Sequence, residues 1–78
     1  MRRNWEDLAN AIVSQAVTDY RIARYMARVY RYRETSRAII REVEHFFRSR
    51  WFNQLTDIDG KALIRNLRGE DEWTFKNT

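Results

Sequence analysis

The side chains best suited to chemistry in this sequence are arginines that recur along one face of a predicted helix. Their spacing of i, i+3, i+7 and i+10 places the guanidinium groups on one side, with tyrosines between them. Such a face can follow a phosphate backbone while the tyrosines stack on bases, or it can meet an acidic protein surface. It can also be a solvated face opposite the core, but the arginines and tyrosines together favour a binding surface. We call this set the arginine stripe: Arg21, Arg24, Arg28 and Arg31, with Tyr25 and Tyr32.

Asp19 is the second candidate, because it falls inside the apolar arc of the same helix, between Ile12 and Met26. A carboxylate in that position is unfavourable unless it is paired or hydrogen bonded. It either anchors an arginine of a partner or makes an internal tie, to an arginine such as Arg50 or to the amides of another helix end. We expect the internal tie, since buried polar groups are usually hydrogen bonded within the protein.

The third candidate is segment 46–52, where four aromatic residues and two arginines stand within seven positions. One helix face cannot bury so many aromatic side chains. Either both faces are packed by other helices, or part of the segment contacts a partner, since aromatic residues and arginine are enriched at interfaces. The sequence leaves both interpretations open. The binding candidates from this segment are Arg48, Arg50 and Trp51.

Residue patterns typical of catalysis or metal binding are missing from the sequence. There is no cysteine and one histidine, His45, which lies on the polar side of its predicted helix. Asp57 and Asp59 before Gly60 resemble the start of a calcium loop, but the twelfth position carries no acidic ligand. We interpret these residues as a turn and a helix N-cap. We therefore expect no enzyme activity, no metal and no cofactor.

The composition indicates one small basic domain. The chain has 78 residues and a net charge of +4, and 13 of its 15 cationic residues are arginine. Such a bias can serve phosphate or carboxylate recognition, or it can reflect genome composition. Residues 21–50 hold nine arginines against three acids, a local net charge of +6, and acids follow at 70–72. An acidic tail of this kind can fold back over a basic face.

Chain length and hydropathy bear on assembly and location. A chain this short has a thin core, and without cysteines its reinforcement must come from oligomerisation or from unusually good helix packing. The long first helix carries more apolar surface than two short helices can cover, so we expect a homo-oligomer. No apolar run is long enough to span a bilayer, and no signal peptide is recognisable. The sequence predicts a cytoplasmic protein with no membrane partner.

The hydrophobic periodicity predicts an all-α fold in which a long N-terminal helix packs against a helical hairpin. The first helix runs from a cap at Asn4 to about Arg33, and the second begins at Thr35 or Ser36. The second helix presents an apolar stripe and, on its polar side, residues such as Glu44. Ser49 either begins a short extra turn, which would make four helices, or lies within a continuous helix. Asp59 caps a last helix that ends at Gly69, so residues 1–69 form the domain and 70–78 a tail.

Two stretches of the chain resemble a known family. They are segment 11–23, AIVSQAVTDYRIA, and segment 44–64, EHFFRSRWFNQLTDIDGKALI. Both resemble small, largely uncharacterised proteins of phages, prophages and conjugative elements of Firmicutes. The resemblance covers most of the chain except the link at 24–40 and the tail, and it carries over no functional residue. It implies a mobile-element accessory protein, a class that often regulates host or phage machinery or inhibits host defence systems.

These observations favour a non-enzymatic accessory protein that engages, and inhibits or regulates, a host protein or complex. The arginine stripe and the aromatic segment are its expected contact surface. The alternative is nucleic-acid or nucleotide binding through the same arginines. The two differ in salt dependence, because phosphate contacts weaken steeply as salt rises whereas an aromatic protein interface does not.

Overall fold

Helices make up nearly all of the described structure, a computed structural model that defines the backbone of residues 3–30 and 33–76 and the side chains of residues 5–30 and 33–70. Over those residues the chain forms α1 (Arg3–Val29), α2 (Arg33–Phe47), α3 (Arg50–Leu55) and α4 (Gly60–Lys76). The prediction of an all-α fold with a long N-terminal helix is confirmed. The short extra turn that the sequence left open is α3.

The core forms where α1, α2, α3 and α4 meet. Tyr20 and Phe52 are fully buried, Phe47 is 1% exposed, and Ile64 and Leu67 complete the cluster. The rings of Phe47 and Phe52 lie edge to face with their centroids 5.3 Å apart, an arrangement that aromatic quadrupoles favour. A single hydrophobic cluster therefore joins all four helices, with rings from α1, α2 and α3 and aliphatic side chains from α4, which is how a chain of this length fills its interior.

The predicted N-cap Asp59 is confirmed, and Ser49, for which the sequence left two alternatives open, is also an N-cap. The Ser49 hydroxyl accepts a hydrogen bond from the Phe52 amide at 3.2 Å, which begins α3. One carboxylate oxygen of Asp59 accepts from the amides of Lys61 and Ala62 at 3.0 and 3.4 Å, at the start of α4. Each cap satisfies amides that have no partner within their own helix.

Gly60 sits where α4 begins against the last turn of α2. A Cβ atom at this position would collide with the backbone carbonyl of Phe47, and the side chain of Phe52 lies close by. Backbone atoms cannot move aside as a flexible side chain can. Glycine is therefore required here by close packing, since its φ angle is an ordinary negative one.

Four predicted helix limits are wrong. α1 begins at Arg3, so Asn4 lies inside the helix and is not its N-cap. α1 ends at Val29 instead of near Arg33, and α2 begins at Arg33, ahead of the expected caps Thr35 and Ser36. The apolar periodicity continues past Val29, but the chain must reverse there so that α2 can pack along α1. Ser36 is instead a buried residue inside α2. α4 continues through Gly69 to Lys76, so the backbone of the predicted tail is helical as far as Lys76.

Over the part of the chain that the structure describes, no helix combines the length and the apolar character needed to cross a bilayer.

Candidate binding surfaces

The main buried polar contact of the molecule centres on Glu44, which the sequence placed on the polar side of its helix. Glu44 is in fact 7% exposed. Its Oε2 accepts hydrogen bonds from the Tyr20 hydroxyl at 2.6 Å and from Nη2 of Arg68 at 2.7 Å. Nη1 of Arg48 lies 3.7 Å from Oε1. The prediction for Glu44 is wrong because α4 covers this side of α2, and a single-helix pattern cannot reveal that.

These contacts shift the pKa values of Glu44 and Tyr20 and so determine which of the two side chains is charged. Burial raises the pKa of Glu44, but hydrogen bonds from Tyr20 and Arg68 and the charges of Arg68 and Arg48 outweigh it, so the pKa lies below its usual value. Burial and the hydrogen bond to Glu44 raise the pKa of Tyr20. The group is thus a carboxylate, a neutral phenol and guanidinium cations.

Asp19 does not make the predicted internal tie, because its side chain is exposed. Its carboxylate accepts a hydrogen bond from Nε2 of Gln15 at 2.8 Å, one turn earlier in α1. No ion pair joins it to Arg50 within the described residues, and Arg50 is exposed at the start of α3. The prediction is wrong because Asp19 lies at the edge of the apolar arc of α1, where α2 leaves it open to solvent.

The arginine stripe is only partly available to a ligand. Arg21 forms a double hydrogen bond with Glu70 of α4, at 3.0 and 3.2 Å, while both side chains stay about half exposed. The guanidinium of Arg24 lies 5.8 Å from the centre of the Tyr20 ring. Arg28 and Tyr25 are exposed. Arg31 and Tyr32 lie outside the described residues.

The aromatic segment is divided between core and surface. Phe47 and Phe52 are in the core and Phe46 is half-buried, so the packing interpretation holds for these three residues. Trp51 is instead 47% exposed, and its ring meets that of Trp5 edge to face at 6.3 Å. The exposed Trp51 leaves the contact interpretation open for this residue.

An apolar groove runs between α1 and α2, on a side of the pair that neither α3 nor α4 fills. It consists of two adjoining hollows of about 480 and 590 Å³. Asp19 and Glu42 line both hollows and lie at the middle of the groove, where they are its charged residues. We call it the α1–α2 groove, and its main wall residues are Ile12, Ala16, Asp19, Ile22, Met26, Ile39, Glu42, Val43 and Phe46.

A further hollow, of about 660 Å³ and separate from the α1–α2 groove, is basic and lies between the C-terminal end of α2 and the face of α4. We call it the α4 basic hollow, and its cationic side chains are Arg48, Lys61, Arg65 and Arg68. Apart from Arg48, sequence reasoning missed them. The i, i+4, i+7 spacing of the three on α4 was a signal, but only the fold shows that Arg48 faces them.

Comparison of this chain with protein-family models, with curated proteins and with solved structures found no match.

Proposed function

We propose that this chain is a non-enzymatic accessory protein of the phage type that binds a host protein in the cytoplasm and inhibits or regulates it. The observation that carries the proposal is the α1–α2 groove. An apolar hollow left open on so small a domain is typical of a protein contact. The resemblance to proteins of mobile elements supports the host-directed part of the proposal.

The groove fits an amphipathic helix of the partner. A helix laid into it would set its apolar side chains against residues such as Ile22, Val43 and Phe46. Asp19 and Glu42 at the middle of the groove call for a cation on that helix, because their carboxylates lose water when the groove is filled. The partner segment is therefore a helix with an apolar stripe and an arginine or lysine near its centre.

The arginine stripe and its tyrosines are proposed to extend this contact. Ile22 lies on the rim of the groove and is 55% exposed, and Tyr25 and Val29 continue from it along the outer side of α1 at 51% and 46% exposure. Arg28 is exposed beside them. Tyrosine and arginine supply much of the binding energy in many protein interfaces.

A second copy of this chain is the competing occupant, since the sequence predicts a homo-oligomer. A symmetric dimer formed groove to groove would bring each carboxylate of one copy close to those of the other at its two-fold axis. Asp19 and Glu42 would then repel their counterparts, which favours a different, basic partner. Sedimentation equilibrium tests this: a dimer that Asp19→Lys strengthens would identify the second copy as the occupant.

The test of the proposed function is affinity capture from nuclease-treated host extract, followed by titration of the identified protein in purified form. We expect the double variant Asp19→Lys, Glu42→Lys to weaken binding at least about tenfold, since two lysine ammonium groups then stand in place of the carboxylates and repel the cation. The matched control is Glu34→Lys, Asp57→Lys, which makes the same charge change at exposed positions outside the groove. Equal binding by both double variants would show that the groove is not the contact.

The alternative, nucleic-acid binding through the arginine stripe, is supported by the shared exposure of Arg28 and Tyr25. It is weakened by Glu70, with which a phosphate must compete for Arg21. Reversal of Arg24 and Arg28 to glutamate should abolish such binding, and each lost phosphate contact should make the salt slope shallower by about one unit. If the wild-type chain binds neither DNA nor RNA at low salt, this alternative fails.

A further inference from the structure

We propose that the α4 basic hollow is a binding site for a phosphate group, separate from the protein-binding groove and from the arginine stripe. Lys61, Arg65 and Arg68 are spaced i, i+4 and i+7, so they share one face of α4. Arg48 faces them from the end of α2. Four cationic side chains from two elements therefore converge on one concavity.

The two arginines at the back of the hollow both contact Glu44, which holds Arg68 in place before any ligand arrives. Arg68 donates through Nε and Nη2 to the buried Glu44, at 3.2 and 2.7 Å, which leaves its Nη1 group for a ligand. Arg48 lies 3.7 Å from the other oxygen of the same carboxylate. Both guanidinium groups remain about half exposed, at 47% and 48%. Glu44 thus fixes the position of Arg68 by hydrogen bonds and attracts Arg48 more weakly, and it covers neither guanidinium group.

Lys61 and Arg65, at the front of the hollow, have no such partner. Both side chains are exposed, and among the described residues neither has a carboxylate within ion-pair distance. Among the residues whose side chains the structure describes, the four cations of the hollow and the carboxylate of Glu44 behind them give a formal charge of +3. An arrangement with one guanidinium fork held by hydrogen bonds and three further exposed cations suits a phosphate, which accepts several charge-assisted hydrogen bonds at once.

The ligand class is a phosphate-bearing molecule, whether a nucleic-acid backbone, a nucleotide or a small polyphosphate. The three sources share the chemistry that this site recognises. They differ in length and in whether a base is present, so they can be told apart with three probes: a labelled single-stranded oligonucleotide, ATP and inorganic pyrophosphate.

The test compares two double variants with the same change of charge. Lys61→Glu, Arg65→Glu reverses the front of the hollow, and Arg37→Glu, Arg41→Glu reverses two exposed arginines of α2 outside it. Fluorescence anisotropy measures binding of the labelled oligonucleotide, and changes in the amide chemical shifts of the protein by NMR measure binding of ATP and of pyrophosphate. We expect the first pair to weaken binding of at least one probe by about tenfold or more, and the control pair to change it by less than about threefold.

Each outcome bears on the proposal. Weakened binding of all three probes assigns the site to phosphate itself, and an effect confined to the oligonucleotide assigns it to a nucleic-acid backbone. If both pairs of substitutions weaken binding equally, binding depends on the net charge of the protein alone, and the proposal is overturned. It is also overturned if no probe binds the wild type at low salt. The circular-dichroism signal and the urea midpoint of both variants are measured to check that the fold is kept. Binding of the proposed protein partner is measured separately and reports on the α1–α2 groove.

Discussion

The hydroxyl of Tyr20 donates a 2.6 Å hydrogen bond to Oε2 of Glu44, and both residues are buried, at 0% and 7% exposure. The same oxygen accepts from Nη2 of Arg68, so one carboxylate links α1, α2 and α4. A buried carboxylate that is fully paired stabilises a particular arrangement of helices, and its loss leaves its donors without partners. Among the described residues, the buried side chain that ties the helices together by polar contacts is therefore Glu44.

Glu44→Ala should lower the free energy of unfolding by about 1–3 kcal/mol, because the buried Tyr20 hydroxyl loses its acceptor. Glu42→Ala is the matched control, since Glu42 lies two residues earlier in the same helix and is exposed. It should change the free energy of unfolding by less than about 0.5 kcal/mol. Urea denaturation of both variants measures the difference, and equal midpoints would contradict the assignment of Glu44.

The stability that Glu44 contributes should depend on pH in a defined direction. Its pKa is lower in the folded than in the unfolded chain, so its contribution is present above the unfolded pKa of about 4.3 and is lost as the pH falls through the folded pKa. The pKa of Tyr20 is raised, so its contribution is lost as the pH rises above about 10. The gap in unfolding free energy between wild type and Glu44→Gln should be largest between those limits. Urea titrations at a series of pH values measure it, and a gap that widens in acid would contradict the paired carboxylate.

Substitution by alanine should have opposite effects on stability at the two glycines. Gly60→Ala should destabilise the fold by more than about 2 kcal/mol, since a Cβ there meets the Phe47 carbonyl and forces α4 away from α2. Gly69→Ala should stabilise it by about 0.5–1 kcal/mol, because Gly69 lies inside α4 with nothing within 4 Å of an added Cβ. Thermal and urea denaturation measure both. If Gly60→Ala leaves the free energy of unfolding unchanged, α2 and α4 are not in close contact at this position.

Asp19→Ala should change the free energy of unfolding, measured by urea denaturation, by less than about 0.5 kcal/mol. The reason is that the carboxylate is exposed and its hydrogen bond to Gln15 is a surface contact. The same variant should weaken binding of the protein partner proposed for the α1–α2 groove. Loss of 1 kcal/mol or more of stability would instead restore the structural role that the sequence predicted for Asp19.

Sequence alone established the features that depend on local chemistry. The apolar periodicity identified α1, α2 and α4, and Asp59 was recognised as a cap because a cap involves residues only two or three positions apart. For Ser49 the sequence left two alternatives open, and the structure shows that it is a cap. The sequence also identified the arginines and the exposed character of His45. The helix ends near Val29 and Gly69 were misplaced, since periodicity continues whether the chain turns or not and glycine can stay within a helix that its neighbours support.

Only the tertiary structure decided which polar residues are buried and which surfaces exist. Glu44 and Asp19 each lie near the border between the apolar and polar sides of a helix, and their burial depends on where a second helix is placed. α4 covers Glu44 and supplies Arg68, whereas α2 leaves Asp19 open. The α1–α2 groove and the α4 basic hollow each combine residues from two helices. Their geometry is set by packing between segments distant in sequence, which the spacing within any one helix does not encode.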